Sequence, residues 1–508
     1  MIVILDFGSQ YTQLIARKVR ESNVYCEIHP FNTKWETIAA LKPSGVILSG
    51  GPSSVYEKGA PKPDKKIFSA GVPLLGICYG LQCIVEHYGG KVSPSTHREY
   101  GPANVNVVHR DSLFDTLPDT LPVWMSHGDA ASKMPKAFQT LAKTENAPYA
   151  AIKHESLPIF GVQFHPEVHH TPDGVAIIKN FTHNVCKDAA NWSMKSFLDE
   201  ATREVRTTVG KDRVILGLSG GVDSSVVAAL LHRAIGKQLT AIFVDNGVLR
   251  SGEKERMRRI FDGSLGSELK VIDASKLFLS KLKGITDPEK KRKIIGRTFI
   301  EVFDKEAKKI KGVKFLAQGT LYPDVIESVS VKGPSAVIKS HHNVGGLPKN
   351  MKLKLVEPVR FLFKDEVRAL GRELDLPKEL INRHPFPGPG LSIRILGEVT
   401  AERVKLLQKA DLIVENEVRS AGLYDQLWQA FAVLLPVKSV GVMGDQRTYE
   451  ATCAIRAVTS QDAMTADWAD LPRPVLSRIS NRIINEVRGI NRVVLDISSK
   501  PPATIEWE

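Results

Sequence analysis

The chain has few cysteines and no long run of apolar residues. Its five cysteines are scattered over 508 residues without the paired spacings of a zinc site or a disulfide framework. The apolar run at the amino terminus, MIVILDFG, is far shorter than a membrane span and has no basic stretch or small-residue cleavage site beside it. We therefore expect no targeting segment, no membrane association and a cytoplasmic location.

Acidic residues are fewer than basic ones, which leaves a formal net charge of +13. That excess suits a nucleic-acid partner, and it suits equally an enzyme that attracts triphosphates and nucleotides. The densest basic stretch, Lys290–Lys293, lacks the interleaved aromatic residues that single-strand binding uses. A solvated helix face is the simpler interpretation, with Arg292 as one exception, and we predict no nucleic-acid partner.

Length and the order of hydrophobic patterns predict several domains. A chain of 508 residues with 43% apolar residues exceeds one ordinary core. Strand-like runs alternate with amphipathic helical stretches in two successive sets, which is typical of parallel α/β sheets, and the rhythm then changes. We predict two parallel-sheet α/β domains followed by a smaller α+β domain, with bounds 1–190, 191–383 and 384–508. In the third domain we expect a helix around residues 402–420 and strands near residues 439–443 and 451–458. A penultimate helix carries an apolar stripe that buries against a sheet or a partner chain.

The pentapeptide GICYG, residues 76–80, lies between an apolar strand and a helical run. Such a strand–turn–helix pattern exposes a nucleophile at the turn, here Cys78. At a helix N-terminus, backbone N–H groups and the helix dipole favour the reactive thiolate. The pentapeptide alone fits a buried structural cysteine equally well.

A second motif, FHPE, supplies what a thiol nucleophile needs. His165 offers a base and Glu167 an orienting carboxylate, and the two alternate along a strand so that both side chains share one face. A third motif, SGGPSSV, offers a glycine turn at Gly51. Its N–H, with that of Tyr79, would form an oxyanion hole. The adjacent His169 and His170 suit solvated histidines better than metal ligands, because no further ligand is suitably spaced.

Together these motifs resemble the class I glutamine amidotransferase domain. The resemblance assigns Cys78, His165 and Glu167 to a catalytic triad that hydrolyses the glutamine side-chain amide through a thioester and releases ammonia. It assigns further glutamine contacts to Gln82 and to the stretch MSHGD, with Ser126 and His127. Cys83 we interpret as a packing residue.

A different motif, SGGVDSS, lies between a strand and a helix in the second set. Small residues let backbone N–H groups approach an anion, and the helix N-terminus adds its positive end. The Gly-Lys-Ser/Thr ending of a Walker A loop is missing, and so is the dinucleotide pattern GxGxxG. An ordinary strand-to-helix turn is the alternative.

This segment resembles the PP-loop of the N-type ATP pyrophosphatases, whose fold is that of the adenine nucleotide alpha hydrolases. The resemblance implies cleavage of ATP between its α and β phosphates. It implies an ATP site made of Ser219, Gly220, Gly221, Val222, Asp223, Ser224, Ser225 and Val244. Mg²⁺ is expected with ATP, and Asp223 is its candidate ligand, since hard oxygen ligands favour that ion.

The order of the domains, with segments such as RHPFPGPGL and KPPATIEWE, resembles the GMP synthetases. That resemblance implies xanthosine monophosphate (XMP), ATP and L-glutamine as substrates, Lys364 beside the pyrophosphate, and a homodimer formed by the third domain. The XMP site it implies comprises Arg292, Gly388, Lys500, Ile505 and Glu506, with Lys500 on the phosphate. The stretch HHNVGGLP has the glycines of a mobile lid, and we expect residues 331–348 to be disordered without nucleotide.

Two other functions are less consistent with these motifs. A tRNA-modifying ATP pyrophosphatase would use the basic surface but usually needs a cysteine pair near its ATP domain, and residues 191–400 contain no cysteine. A nucleotide-binding regulator without activity conflicts with the complete cysteine, histidine and glutamate set.

Overall fold

The computed structural model describes residues 1–261, 268–329, 353–443, 446–460 and 465–508. These residues form two compact units. One contains Met1–Phe197 and the described part of 322–340, and the other contains Leu198–Leu321 and the described part of 341–508. The expected lid at residues 331–348 lies outside the described residues.

The first unit is built on a nine-stranded sheet in the order β2-β1-β3-β4-β9-β8-β7-β5-β6. The strands from β2 to β9 in this order pair in parallel, and the remaining pairs are antiparallel. Its strands are β1 (Ile2–Asp6), β2 (Cys26–Pro30), β3 (Gly45–Leu48), β4 (Leu74–Ile77), β5 (Lys91–Val107), β6 (Thr120–Lys133), β7 (Phe138–Lys143), β8 (Ala151–His154) and β9 (Ile159–Val162).

The second unit contains two sheets. One is five-stranded and wholly parallel, in the order β12-β11-β10-β13-β14. The other is four-stranded, with β15, β16 and β17 antiparallel and β18 parallel to β16. The strands are β10 (Arg213–Leu218), β11 (Leu239–Asp245), β12 (Glu268–Asp273), β13 (Val313–Ala317), β14 (Lys354–Val356), β15 (Gln429–Met443), β16 (Gln446–Thr459), β17 (Asp467–Trp468) and β18 (Ile490–Leu495).

Helices connect and cover these sheets. The α-helices are α1 (Thr12–Glu21), α2 (Trp35–Ala40), α3 (Tyr79–His87), α4 (Gly174–Lys179), α5 (Met194–Val209), α6 (Val222–Ile235), α7 (Glu253–Ile260), α8 (Ser275–Leu282), α9 (Pro288–Ala307), α10 (Tyr322–Val329), α11 (Lys364–Glu373), α12 (Lys378–Ile381), α13 (Ala401–Ser420) and α14 (Arg473–Glu486). A π-helical turn spans Asn180–Val185. No helix within the described ranges has the length and hydropathy to cross a bilayer.

Local sequence explains where the longest helices begin. Pro288 occupies the first turn of α9, where a missing N–H costs nothing, and the Asp287 carboxylate accepts a hydrogen bond from the Lys290 N–H at 2.7 Å. Thr400 caps α13 in the same way, with its hydroxyl accepting from the Arg403 N–H at 3.2 Å. Both helices therefore start where their caps satisfy an otherwise unpaired backbone donor.

Each unit buries its own apolar core. In the second unit, side chains of the parallel sheet such as Ile242, of helix α13 such as Val414, and of the four-stranded sheet such as Ile455 belong to one continuous cluster. Helix α14 adds Ile479 and Ile483 from the predicted stripe, both fully buried. The predicted fold class, two α/β sheets followed by a smaller α+β region, is confirmed, but the first sheet is mixed, because only the pairs from β2 to β9 are parallel.

Candidate active site

A strained turn places Cys78 between strand β4 and helix α3. Its φ of 50° lies in the left-handed region, which a residue other than glycine adopts only when its surroundings impose it. A Cβ on Gly76 would lie 2.5 Å from the carbonyl carbon of Gly80, and a Cβ on Gly80 would strike the backbone of Leu48. Both glycines are therefore required by close packing of the turn against the sheet.

His165 and Glu167 lie in the turn that follows strand β9, not along a strand as predicted, and they meet in a buried hydrogen bond. His165 Nδ1 lies 2.7 Å from Glu167 Oε1, and the two residues are 3% and 1% exposed. Burial opposes the imidazolium form, but the Glu167 carboxylate and the Cys78 sulfur outweigh it and hold the pKa of His165 well above its ordinary value. Cys78, His165 and Glu167 are thus brought together as the motifs predicted.

Cys78 and His165 border a pocket of about 710 Å³ in the first unit. The sequence-predicted residues that line it include Gly51, Tyr79, Gln82, Ser126, His127, Cys78 and His165. The Gln82 side-chain amide donates to the Asp129 carbonyl at 3.0 Å, which fixes the orientation of the stretch containing Ser126 and His127. His169 and His170 are exposed as predicted, with His170 against the Trp124 ring.

Three further residues near this site, Gln163, Glu99 and Thr144, were not predicted from the sequence. The Gln163 side-chain amide donates to Cys78 Sγ at 3.6 Å. Glu99 lies 3.1 Å from His127 Nε2 through one oxygen and accepts from the Thr144 hydroxyl at 3.0 Å through the other. Burial is the main cause that lowers the pKa of His127, so this imidazole is neutral near pH 7. Gln163 was recognisable, since it directly precedes the FHPE motif.

In the second unit, strand β10 turns into helix α6 through Ser219, Gly220 and Gly221. Gly220 has a φ of 76°, which favours glycine. The Ser219 hydroxyl lies 3.1 Å from the Ser224 hydroxyl and accepts from the Gly221 N–H at 3.3 Å, while the Ser225 hydroxyl donates to the Gly221 carbonyl at 2.9 Å. The turn is a compact loop at the N-terminus of a 14-residue helix, a ready site for an anion.

A cation and a carboxylate lie beside this loop. Lys364 Nζ, at the start of α11, is 3.2 Å from Asp223 Oδ2. The second oxygen, Asp223 Oδ1, is buried without a hydrogen-bond partner among the described residues. Those residues contain no group of three or more potential metal ligands from His, Cys, Asp and Glu. One carboxylate oxygen without a hydrogen-bond partner, in a loop suited to anions, nevertheless suits Mg²⁺, which takes few protein ligands and the remainder from phosphates and water. Val244, at the end of β11, is buried.

The residues predicted to contact XMP lie mostly at the carboxyl end of the chain, which is held firmly. Arg394 forms two hydrogen bonds with the Glu506 carboxylate at 2.7 and 2.9 Å. Although burial opposes its ionisation, Arg394 holds the pKa of Glu506 below its ordinary value. Arg292 donates to the Glu508 carbonyl, so the segment reaches helix α9. Ile505 packs into a small apolar cluster with Phe431.

The other two predicted XMP residues are placed differently. Lys500 pairs through its backbone with Ala466, with its N–H 2.7 Å from the Ala466 carbonyl. At Gly388 an added side chain would meet open space. The basic stretch Lys290–Lys293 departs from the predicted solvated helix face at Lys291. This lysine is fully buried, and its Nζ donates to the Ile395 carbonyl at 2.8 Å and pairs with Glu508.

A cysteine at a strand-to-helix turn with its histidine and carboxylate in one unit, and a glycine-rich loop at a helix N-terminus on a parallel sheet in the other, are the arrangement of a glutamine amidotransferase joined to a nucleotide-activating synthetase. Family models agree: "Glutamine amidotransferase class-I" matches residues 3–185, "NAD synthase" matches 194–293, and "GMP synthase C terminal domain" matches 416–507.

Curated relatives match over the full length of the chain. GMP synthase [glutamine-hydrolyzing] of Brachyspira hyodysenteriae is 61% identical, over 100% of this chain and 99% of its own. Proteins of the same name from Phenylobacterium zucineum and Aquifex aeolicus are 60% and 58% identical, over 100% of this chain and 98% and 99% of theirs. The chain belongs to the family of glutamine-hydrolysing GMP synthases.

Proposed function

We propose that the chain makes GMP from XMP, ATP and L-glutamine, releasing glutamate, AMP and diphosphate. The observation that carries this proposal is that Cys78 and His165 line one pocket, with Glu167 hydrogen-bonded to His165, in a chain that also holds the loop Ser219–Ser225. The family to which the chain belongs supplies the acceptor.

In the amidotransferase half, the Cys78 thiolate attacks the side-chain amide carbon of glutamine. The N–H groups of Gly51 and Tyr79 stabilise the oxyanion, and His165, oriented by Glu167, protonates the leaving ammonia. Water then attacks the thioester, with His165 accepting its proton, and glutamate leaves as the thiolate is restored. Gln82, Ser126 and His127 position the substrate.

In the synthetase half, the O2 oxygen of XMP attacks the α phosphorus of ATP and diphosphate leaves. Ammonia then adds at C2 of the base and displaces AMP. The N–H groups of residues 219–225 hold the phosphates, Val244 meets the adenine, and Lys364 neutralises charge on the diphosphate. Bound Mg²⁺, with Asp223 among its ligands, would offset phosphate charge. Arg292, Gly388, Lys500, Ile505 and Glu506 bind XMP, with Lys500 at its phosphate.

The same proposal covers organisation and location. Residues 1–190 serve as the amidotransferase domain, 191–383 as the ATP pyrophosphatase domain, and 384–508 as the domain for XMP binding and dimerisation. All five cysteines are buried free thiols, which is consistent with a reducing cytoplasm. Neither nucleic acid nor a membrane takes part.

A homodimer is supported by an apolar face on the hairpin of β15 and β16. Val440 and Val442 alternate along β15, and Tyr449 pairs opposite Val440, so the three side chains share one face of the sheet. They are 51%, 73% and 61% exposed. A second copy of the chain would cover this face.

The decisive experiment compares nitrogen donors in the Cys78→Ala variant. GMP formation from XMP and MgATP should disappear with glutamine and persist with ammonium, because only the amidotransferase step needs the thiolate. Cys83→Ala is the matched control: burial raises the pKa of that thiol to about 12, so its removal should leave both donors usable. Absence of GMP from the parent with either donor would refute the assigned acceptor.

A further inference from the structure

The phosphate loop of the second unit is fixed from its inner side by a buried arginine. Arg383 Nη1 donates to the Gly220 carbonyl at 2.6 Å. Because the C=O and the following N–H of a planar peptide point in opposite directions, this bond turns the Gly221 N–H away from Arg383, toward the Ser219 hydroxyl. The arginine thus sets the direction of an N–H group in the anion-binding turn.

Arg383 is itself held by Glu253, the first residue of helix α7. Both guanidinium Nη atoms donate to the two carboxylate oxygens, a bidentate pair of the strong kind. Each side chain is 4% exposed, which keeps water from competing for the pair. The carboxylate also fills the space next to the loop, since a Cβ on Gly220 would lie 2.7 Å from Glu253 Oε1.

The pair also links the loop to the segment that follows residue 383. The Phe386 ring lies 5.8 Å from the Arg383 guanidinium and 5.3 Å from that of Arg394, which binds Glu506. The loop is therefore held by residues distant in sequence, since Glu253 and Arg383 are separated by 130 positions.

The geometry points to Arg383 and Glu253 as positioning residues that hold the loop 219–225 in its anion-binding shape before ATP arrives. Both are buried beneath the loop and act on the substrate through the Gly220 peptide. The inference rests on the proposed function, in which this loop holds the phosphates of ATP. A loop organised in advance binds more tightly because less ordering remains to be done on binding.

The test measures ammonium-dependent GMP formation by the full chain carrying Glu253→Gln or Arg383→Lys. The KM for MgATP should rise roughly tenfold, as expected for loss of a charge-assisted hydrogen bond. Inhibition by inorganic diphosphate should weaken by the same factor, because diphosphate occupies the same loop. The KM for XMP and the rate of glutamine hydrolysis should stay within about twofold of the parent values, since the altered hydrogen bonds are made to the loop and within the pair, and Arg383 reaches Glu506 only indirectly, through the Phe386 ring and Arg394.

Arg206→Lys is the control, because Arg206 donates to the Ala234 carbonyl at 2.9 Å at the opposite end of helix α6. It should leave every constant unchanged. An unaltered KM for MgATP in both variants, or an equal rise in the KM values for MgATP and XMP, would overturn the inference. If Glu253→Gln does not fold, the result for Arg383→Lys is used by itself. That variant keeps the positive charge but cannot form the bidentate pair with Glu253. A parent without ammonium-dependent activity would instead refute the proposed function.

Discussion

His165 is a buried imidazole between two groups that favour its charged form. Its pKa lies well above the ordinary value because the Glu167 carboxylate and the Cys78 sulfur outweigh the cost of burial. A folded-state pKa raised in this way stabilises the fold fully below the unfolded value of about 6.5. That contribution is lost as the pH rises through the folded-state pKa.

Glu167→Gln should lower the pKa of His165 and slow glutamine hydrolysis by about 100-fold or more, because the amide neither stabilises the imidazolium nor fixes its tautomer. The measurements are glutamate release and an NMR titration of the histidine rings. Glu155→Gln, an exposed change in the same unit, is the control. Full glutaminase activity in Glu167→Gln would contradict the assigned orienting role.

At the scale of the element, the turn around Cys78 requires Gly76 and Gly80 because a Cβ at either position would clash with neighbouring backbone, and not only because glycine is flexible. Gly76→Ala should abolish glutamine hydrolysis and lower the melting temperature of the first unit, since overpacking of this kind costs about 1–3 kcal/mol. Ammonium-dependent GMP formation should persist. Calorimetry measures the melting temperature, and assays of glutamate release and of ammonium-dependent GMP formation measure the two activities.

The same substitution at a glycine with open space around it should stabilise the chain instead of destabilising it. Gly296 lies within helix α9, and a Cβ there would meet open space. Gly296→Ala should therefore stabilise the chain by about 0.5–1 kcal/mol, since alanine loses less backbone entropy in a helix. A destabilised Gly296→Ala together with a harmless Gly76→Ala would show that contact is not the cause.

The carboxyl-terminal segment gives a second prediction for an element. Arg394 is fully buried, and its Nε and Nη2 donate to the Glu506 carboxylate, while Nη1 lies 3.9 Å from Asp411 Oδ1. Glu506→Ala should destabilise the second unit by about 3–5 kcal/mol, because it leaves a buried cation without that partner. Trp507→Ala, next to it but 37% exposed, should cost far less. Calorimetry on the two variants distinguishes them, and equal losses would refute the explanation.

At the scale of the whole molecule, the exposed hairpin face predicts the assembly. The parent should sediment as a dimer at low micromolar concentration, and the double variant Val440→Glu, Val442→Glu should sediment as a monomer, because charges would be buried at the interface. Leu277→Glu, at an exposed apolar position on α8, should stay dimeric. A monomeric parent would remove the proposed homodimer.

Sequence predictions succeeded where an element is specified by residues close together along the chain, and they were less accurate where it depends on distant residues. Helix α13 was expected over residues 402–420 and spans Ala401–Ser420, because its cap and its periodicity are local signals. Strand β15 was expected only near residues 439–443 but begins at Gln429. Its first part, QAFAVLLP, is a continuous apolar run, and periodicity alone cannot distinguish a buried strand from a helix there.

The sequence by itself determined the chemistry that depends on neighbours along the chain. The glycine turn around Cys78, the closely spaced His165 and Glu167, and the loop 219–225 are short motifs whose residues are neighbours along the chain, although His165 and Glu167 lie in a turn rather than in the predicted strand. Only the tertiary structure decided which distant groups complete them: Glu99 beside His127, Arg383 beneath Gly220, and Glu508 against the buried Lys291. The physical reason is that a buried charge needs a partner, and folding brings that partner from any point in the chain.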